Sequence, residues 1–350
     1  MSRPELGATR LARRAGSPQQ RGPESVGHEG AKSTPYGRPV LKEPVWTWEI
    51  PCYFYTGGLA GASAILAHRA EGQGNPQLAR RAWAAALAGA GASPALLISD
   101  LGRPARFFNM LRVLKVTSPM SVGTWILSAS GVSIALAAVR AWSGLFPRAG
   151  RAGSVVAAAL GGPLGTYTAA LVADTAIPVW HEARHELPFV FAGSAAASAG
   201  AIATAWTPAK HAGPARWATV GGAVVEVAGT QLMEHRLGSV GEPYHEGAAG
   251  RLGMAAKAMT TAGAAAIALR GRRSRAAALA GAALVTAGSL CERWSVFKAG
   301  FQSAARPDDT VVPQRARIER GDTRGAVRRT SPDGRVDPDR ASPAIIAHRD

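Results

Sequence analysis

The sequence predicts an all-α integral membrane bundle of about eight transmembrane helices with disordered polar N- and C-terminal tails. The first observation is a series of apolar stretches close to the ~20 residues that a helix needs to cross a ~30 Å hydrocarbon layer. The second is the placement of basic clusters between these stretches, as is typical of membrane anchoring. The third is the absence of any apolar period at the two ends, which lowers mean hydropathy to near zero.

The central part of the chain contains eight apolar stretches that we assign as spans. They are 50–67, 82–99, 116–139, 152–173, 187–209, 217–233, 252–269 and 276–293. Only small residues interrupt the third stretch, whereas a water-soluble bundle would need a polar stripe along each helix. Glycine pairs at GxxxG spacing, Gly57/Gly61 and Gly161/Gly165, indicate close contact between helix backbones.

These boundaries predict three regions: a basic tail over 1–45, a transmembrane domain over 46–301 and a charged tail over 302–350. The tails lack the apolar content that would offset the entropy of ordering, and 1–45 shows no cleaved secretory signal. The net charge of +17 is assigned to lipid anchoring, so no nucleic-acid partner is expected. Eight spans place both tails on one side, and the basic N-terminal tail predicts the cytoplasmic side.

The chain has too few ligands for the usual redox metal centres. Its two cysteines cannot supply the four thiolates of an iron–sulfur cluster. Its eight histidines lie in tails, in loops or at span ends, which does not suit a haem clamped inside the bundle. His181 and His185, with Glu182 and Glu186, have metal-ligand spacing, but a polar interfacial loop accounts for them better. We therefore predict that this chain carries no redox metal of its own.

Ionisable residues inside the spans are candidates for function, because a charge in the bilayer is costly. Glu226 lies in the sixth span and is interpreted either as a proton relay or as a structural acid bonded to another helix. Asp174 is a similar candidate near the end of the fourth span. Both are predicted proton-transfer residues.

Glu49 opens the first span within a group of aromatic residues, among them Trp46, Trp48, Tyr53 and Tyr55. Such a group is typical of interfacial anchoring. It also suits a bound quinone, whose carbonyl groups need hydrogen-bond donors and whose ring needs flat apolar walls.

The connection between the second and third spans is rich in turn and capping signals. Asp100 and Arg103 are spaced for a turn-closing ion pair, and Gly102 and Pro104 favour a bend between them. Ser118 before Pro119 predicts the N-cap of the third span.

Several of these motifs together resemble the NrfD / polysulfide reductase membrane-subunit family. The resemblance spans roughly 44–305, and its most specific parts are the Asp100–Pro104 and Ser118–Ser121 blocks in tandem. Supporting matches are Trp46-Thr47-Trp48, Tyr53, Gly57–Gly61, Gly123, Trp125, Tyr167-Thr168, Pro178, Trp180, Leu187-Pro188, Arg293 and Ala299-Gly300. Ala169, where a glycine commonly follows Tyr-Thr, and the long charged tails depart from the family pattern.

The resemblance implies a subunit that exchanges electrons with menaquinone or ubiquinone and contains no metal cofactor. It also implies an iron–sulfur partner subunit, usually joined to a molybdopterin catalytic subunit, in a bacterial inner membrane. The quinone would be bordered by Tyr167, Tyr53 and Glu49, with Asp100 and Arg103 as further candidates. Two alternatives remain open: a membrane anchor that binds no quinone, and a transporter or ion-translocating bundle.

Overall fold

A computed structural model describes residues 41–102, 105–311 and 315. Within these residues the chain forms α-helices and two short 3-10 segments, Ala183–His185 and Gly238–Tyr244, and no β-strand. The helices are α1 (Glu49–Gly72), α2 (Pro76–Leu101), α3 (Ala105–Met110), α4 (Pro119–Ser143), α5 (Pro147–Ala173), α6 (Pro178–Glu182), α7 (Leu187–Trp206), α8 (Gly213–Leu237), α9 (Gly247–Arg270) and α10 (Arg275–Ala304). The predicted all-α class is confirmed.

Local sequence signals determine several helix ends. The Asn75 side chain accepts a hydrogen bond from the Leu78 amide at the start of α2, and Ser118 caps α4 through the Ser121 amide. The cap predicted at Ser118 is therefore confirmed. At the other ends, Gly102 and Gly144 adopt left-handed backbone conformations that terminate α2 and α4.

Six helices are long and apolar enough to cross a membrane: α1, α2, α4, α5, α7 and α9. The other two long helices, α8 with 25 residues and α10 with 30 residues, have the length but not the hydropathy. Both contain charged residues along their length, including Glu226 in α8 and Arg293 in α10. Among the described residues, eight helices are thus long enough for the predicted spans, but only six of them are also apolar enough. The predicted number of about eight spans is therefore approximate.

Small residues let the helix backbones approach closely. A side chain at Gly61 would overlap the Gly161 carbonyl and one at Gly161 would overlap the Gly61 carbonyl, so one glycine of each pair noted in the sequence brings α1 and α5 together. Gly263 and Gly281 join α9 to α10 in the same way. In lipid such contacts are favourable because they allow extensive van der Waals packing.

The long helices alternate in direction, so their connections lie on two faces of the bundle. We call the face with 41–49, 101–102, 105–119, 173–187, 237–247 and 304–311 the terminal face, and the face with 72–76, 143–147, 206–213 and 270–275 the distal face. The Asn75 side chain donates to the His211 carbonyl across the distal face at 2.8 Å. Both described ends of the chain therefore lie on the same side, as an even number of long helices requires.

The helical part of the chain extends beyond the boundary expected at residue 301. Helix α10 continues to Ala304, and residues 307–311 form another helical turn in which the Asp309 side chain is largely buried. Arg306 between them forms ion pairs with Glu242 and Glu246. Charged residues such as Arg306 and Asp309, which the sequence assigned to the polar C-terminal tail, therefore contact the bundle. Residues 1–40, 312–314 and 316–350 of the two predicted tails lie outside the described ranges.

Candidate functional site

At the terminal face, a group of polar side chains connects the start of α1 to the end of α2. Glu49 is only 9% exposed and accepts hydrogen bonds from the Thr47 hydroxyl and from the Ser99 hydroxyl at 3.2 Å. The Thr47 hydroxyl also lies 3.0 Å from a carboxylate oxygen of Asp100. The structure therefore brings Glu49 and Asp100 together through Thr47. Arg103 lies outside the described residues.

Two tyrosines lie one helical turn deeper. Tyr53 of α1 and Tyr167 of α5 meet edge to face with ring centroids 6.3 Å apart. The Tyr167 hydroxyl is buried and has no hydrogen-bond partner within the described part of the chain. A side chain at Gly123 of α4 would overlap the Tyr167 ring, so Gly123 allows the ring to occupy this position. We call Glu49, Asp100, Tyr53 and Tyr167 the terminal-face site.

An aromatic stack lies beside the terminal-face site. Trp46 stacks on Trp180 with centroids 5.6 Å apart, and the Trp180 indole N–H donates to the Val296 carbonyl at 2.7 Å. Gly300 leaves room for the Trp180 ring. A cleft of about 370 Å³ opens here between 41–46 and 175–180. The flat Trp46 and Trp180 side chains thus form part of the wall of this cleft.

A second polar group is buried between α7, α8, α9 and α10. Glu226 and Glu292 are 2% exposed and Arg293 is 1% exposed. Arg293 is near enough to both carboxylates to interact with them electrostatically, and it donates to the Phe191 carbonyl at 2.8 Å. Its guanidinium also lies 3.7 Å from the centre of the Phe191 ring. We call Glu226, Glu292 and Arg293 the buried charge cluster.

Several polar atoms of the buried charge cluster have unused hydrogen-bonding capacity. Among the described residues, one Glu226 carboxylate oxygen and two Arg293 nitrogens have no partner, nor has the nearby Tyr55 hydroxyl of α1. Buried polar atoms in proteins are normally satisfied, often by internal water. These atoms can therefore form further hydrogen bonds.

The buried charge cluster is linked to the terminal face by a chain of polar side chains. Thr230 lies 3.5 Å from Glu292, and Glu292 lies beside the pair formed by Lys257 and Glu234. In that pair the ammonium group is 3.0 and 2.9 Å from the two carboxylate oxygens. Together, the buried charge cluster and the Lys257–Glu234 pair contain three carboxylates and two cations. One further positive charge is needed to make this group of five neutral.

The other sequence-predicted candidates lie elsewhere. Asp174 is exposed at the end of α5, at the terminal face, and is not part of the buried charge cluster. The ring nitrogen Nδ1 of His181 is 3.1 Å from the Ala173 carbonyl oxygen.

Sequence reasoning did not single out Glu292, Glu234 or Arg293 as site residues. The last span was expected to end at Arg293, which placed the Glu292–Arg293 pair at the membrane surface. Since α10 continues for eleven residues beyond Arg293, both charges lie within the helix. The signal that could have shown this is the run of apolar and aromatic residues after Arg293.

The fold and these two sites define the class of the protein, a helical membrane protein with a polar and aromatic site at one face. A family model described as polysulphide reductase, NrfD, matches residues 39–213. The chain therefore belongs to the NrfD family, whose members are membrane subunits of oxidoreductase complexes. No curated protein matches the chain.

The matched region is shorter than the resemblance inferred from the sequence, which extended to residue 305. It contains α1–α7 and therefore every described member of the terminal-face site. Helices α8–α10 lie beyond it, and they contain all three residues of the buried charge cluster.

Proposed function

We propose that the protein is the membrane quinone/quinol-interacting subunit of a multi-subunit oxidoreductase. It would pass electrons between a partner iron–sulfur subunit and menaquinone or ubiquinone. The observation that carries this proposal is the buried Tyr167 hydroxyl, which has a free hydrogen-bonding position beside Tyr53 at the terminal face. Membership of the NrfD family supports it, since the family forms membrane subunits of oxidoreductase complexes.

The residues of the terminal-face site fit a quinone head group. The hydroxyl of Tyr167 can donate a hydrogen bond to a carbonyl oxygen, and the Tyr53 ring can provide an apolar wall. Glu49 and Asp100 lie within the hydrogen-bonded group at the same face, where they can exchange protons with water. A bound quinone would supply two-electron, two-proton redox chemistry. The protein side chains would hold and orient it and supply protons.

The proton-transfer part of the proposal rests on the buried charge cluster. The cluster has two carboxylates and one cation in a medium of low dielectric constant, and the adjoining Lys257–Glu234 pair is neutral by itself, so the cluster is neutral when one carboxyl group carries a proton. Glu226 has the free carboxylate oxygen and would hold this proton. Asp174, exposed at the terminal face, would exchange protons with the solvent.

The proposed complex contains an iron–sulfur subunit and a molybdopterin catalytic subunit in a bacterial inner membrane. The iron–sulfur subunit would dock at the terminal face, where the proposed quinone site lies. The basic N-terminal tail favours a cytoplasmic location of this face, whereas the many arginines of the distal loops favour the opposite orientation. Reporter fusions at residue 210 and after residue 311 decide between them, because only the fusion on the cytoplasmic side remains protected from external labelling.

The test of the quinone site is Tyr167→Phe in the purified complex. This variant removes one hydroxyl and keeps the ring, so we expect weaker binding of a quinone analogue and slower quinol turnover. The matched control is Thr168→Val, which removes a neighbouring buried hydroxyl without changing side-chain shape. Equal analogue binding by Tyr167→Phe and the control would contradict the proposed site. A complex that binds no quinone analogue at all would instead favour the anchor or transporter alternatives.

The test of proton transfer is Glu226→Gln, which keeps the shape of the side chain but cannot release a proton. We expect the complex to assemble and to bind the quinone analogue normally while quinone turnover slows. Unchanged turnover in reconstituted membranes would remove Glu226 from the mechanism.

A further inference from the structure

An open apolar groove lies between the middle of α8 and the distal half of α9. These two helices meet loosely, whereas each packs closely on its other neighbour, α7 or α10. The groove has a volume of about 370 Å³ and is lined by residues 220–231 of α8 and 261–268 of α9. Most of the lining is alanine and valine, and Gln231 and Thr261 are its polar members. Val224 at its edge is 62% exposed.

The distal end of this groove leads to a cluster of arginines. Arg216 lies one helical turn before the groove lining in α8. Arg270 ends α9, Arg275 begins α10, and Arg272 and Arg273 lie in the connection between them. Arg216 at the start of α8 and Arg272 after the end of α9 both lie at the distal face, near enough for their like charges to interact. We call these five residues the arginine cluster.

No carboxylate among the described residues neutralises the arginine cluster. The carboxylate that the structure describes at the distal face is Glu71, and it is already engaged. Glu71 forms a salt bridge with Arg140 and accepts hydrogen bonds from Trp83 at 2.8 Å and Ser154 at 2.9 Å. Neighbouring cations without a carboxylate partner form a site for an external anion.

We propose that the groove and the arginine cluster together bind an anionic phospholipid. Its acyl chain would lie in the groove between α8 and α9, and its phosphate would contact Arg216 and Arg272. Basic pockets between transmembrane helices are suited to anionic head groups. Trp217, beside Arg216 and 78% exposed, is the kind of residue found at the level of lipid head groups. An acyl chain and a phosphate in this relative position are the two parts of one phospholipid.

The charge of the site argues against a second copy of the chain as the occupant. A copy related by a two-fold axis along the membrane normal would place its own arginine cluster at the same depth. The two clusters would then repel each other across a medium that screens charge poorly. A quinone tail would suit the groove alone, but its head group carries no negative charge to match the arginines.

The experiment is native mass spectrometry of the full-length protein, released from detergent after delipidation and titrated with single lipids. The probes are phosphatidylglycerol, cardiolipin, phosphatidylethanolamine, menaquinone and inorganic phosphate. We expect the two anionic lipids to bind at least roughly tenfold more tightly than phosphatidylethanolamine. The variant Arg216→Gln/Arg272→Gln should lose this preference. The control Arg148→Gln/Arg151→Gln makes the same charge change at the start of α5, on the same face. This control should retain the preference for anionic lipids.

A second variant tests the groove without touching the arginines. Ala228 is exposed and lines the groove, so Ala228→Phe fills it while leaving the core unchanged. We expect this variant to bind phosphatidylglycerol more weakly. The proposal is overturned if inorganic phosphate alone binds as well as the lipid. It is also overturned if the control loses as much affinity for anionic lipids as the arginine variant does, or if phosphatidylethanolamine or menaquinone binds best. Dimers that form in place of lipid binding would also overturn it.

Discussion

Replacement of Arg293 by methionine is expected to destabilise the protein strongly, because it removes the cation that faces two buried carboxylates. The side chain is 1% exposed, and removing one partner from a buried ionic group typically costs about 3–5 kcal/mol. The hydrogen bond to the Phe191 carbonyl and the contact with the Phe191 ring would be lost as well. Protonation of a carboxylate offsets part of this loss, so we expect a net cost of about 4 kcal/mol.

Glu226→Gln should behave differently. The buried charge cluster has two carboxylates and one cation, so removing one carboxylate leaves a balanced pair. We expect this variant to change stability by less than about 1 kcal/mol. In the double variant Arg293→Met/Glu226→Gln, one of the two uncompensated acids is gone. We therefore expect it to recover at least half of the loss caused by Arg293→Met alone.

The assay is thermal unfolding in detergent, followed by tryptophan fluorescence, since Trp294 is adjacent to the substituted position. A loss of about 4 kcal/mol corresponds to a decrease of roughly 8–16 °C in the unfolding midpoint. Arg251→Met is the matched control, because Arg251 is exposed on α9. This substitution should change the unfolding midpoint little. If Glu226→Gln lowers the midpoint as much as Arg293→Met does, or if the double variant shows no recovery, the charge balance described for the cluster is wrong.

Three further predictions concern packing and pH. Gly61→Leu should force α1 away from α5 and reduce the yield of folded protein, whereas Gly91→Leu, at a position open on all sides, should be tolerated. Gly123→Ala should displace the Tyr167 ring and weaken binding of a quinone analogue while helix content in circular dichroism stays the same. Burial raises the pKa of Asp309, and the nearby Ser303 and Arg306 offset this only in part. Since the neutral form is favoured in the docked state, attachment of residues 307–311 should weaken as pH rises above about 4. Asp309→Asn should then increase hydrogen-exchange protection of this segment at pH 7 and leave it unchanged at pH 3.

The sequence predicts the helices well because apolar length is a local property. Each of the eight long helices contains most of a stretch identified from the sequence, and Ser118 and the glycines at 61 and 161 have the roles that local rules assign to them. The helix ends are less predictable. Helix α10 extends to Ala304 because aromatic residues after Arg293 pack on the bundle, which a window of hydropathy does not reveal.

The two sites differ in how much of them the sequence could predict. Glu49, Tyr53 and Asp100 lie at the ends of the first two spans, so their proximity follows from antiparallel neighbouring helices. The buried charge cluster depends on which faces of α8 and α10 meet, and periodicity does not determine this for helices with small residues on every side. Glu226 was identified because it is an isolated acid in an apolar stretch. Glu292 was missed because the adjacent Arg293 made the pair resemble a span boundary.

Helix α1 contributes to both sites, and its geometry accounts for this. Tyr53 faces Tyr167 in the terminal-face site, whereas the Tyr55 hydroxyl lies near Arg293. Two positions along a helix correspond to roughly 200° of rotation, so these side chains leave α1 on opposite sides. A Cβ at Gly58, one turn further along, would lie 3.6 Å from a guanidinium nitrogen of Arg293, so Arg293 is next to α1 at this point. Under the proposed function, a change in the protonation of the buried charge cluster would act on the helix that holds one wall of the proposed quinone site. This contact offers a physical route by which proton transfer in α8–α10 can be coupled to events between α1 and α5.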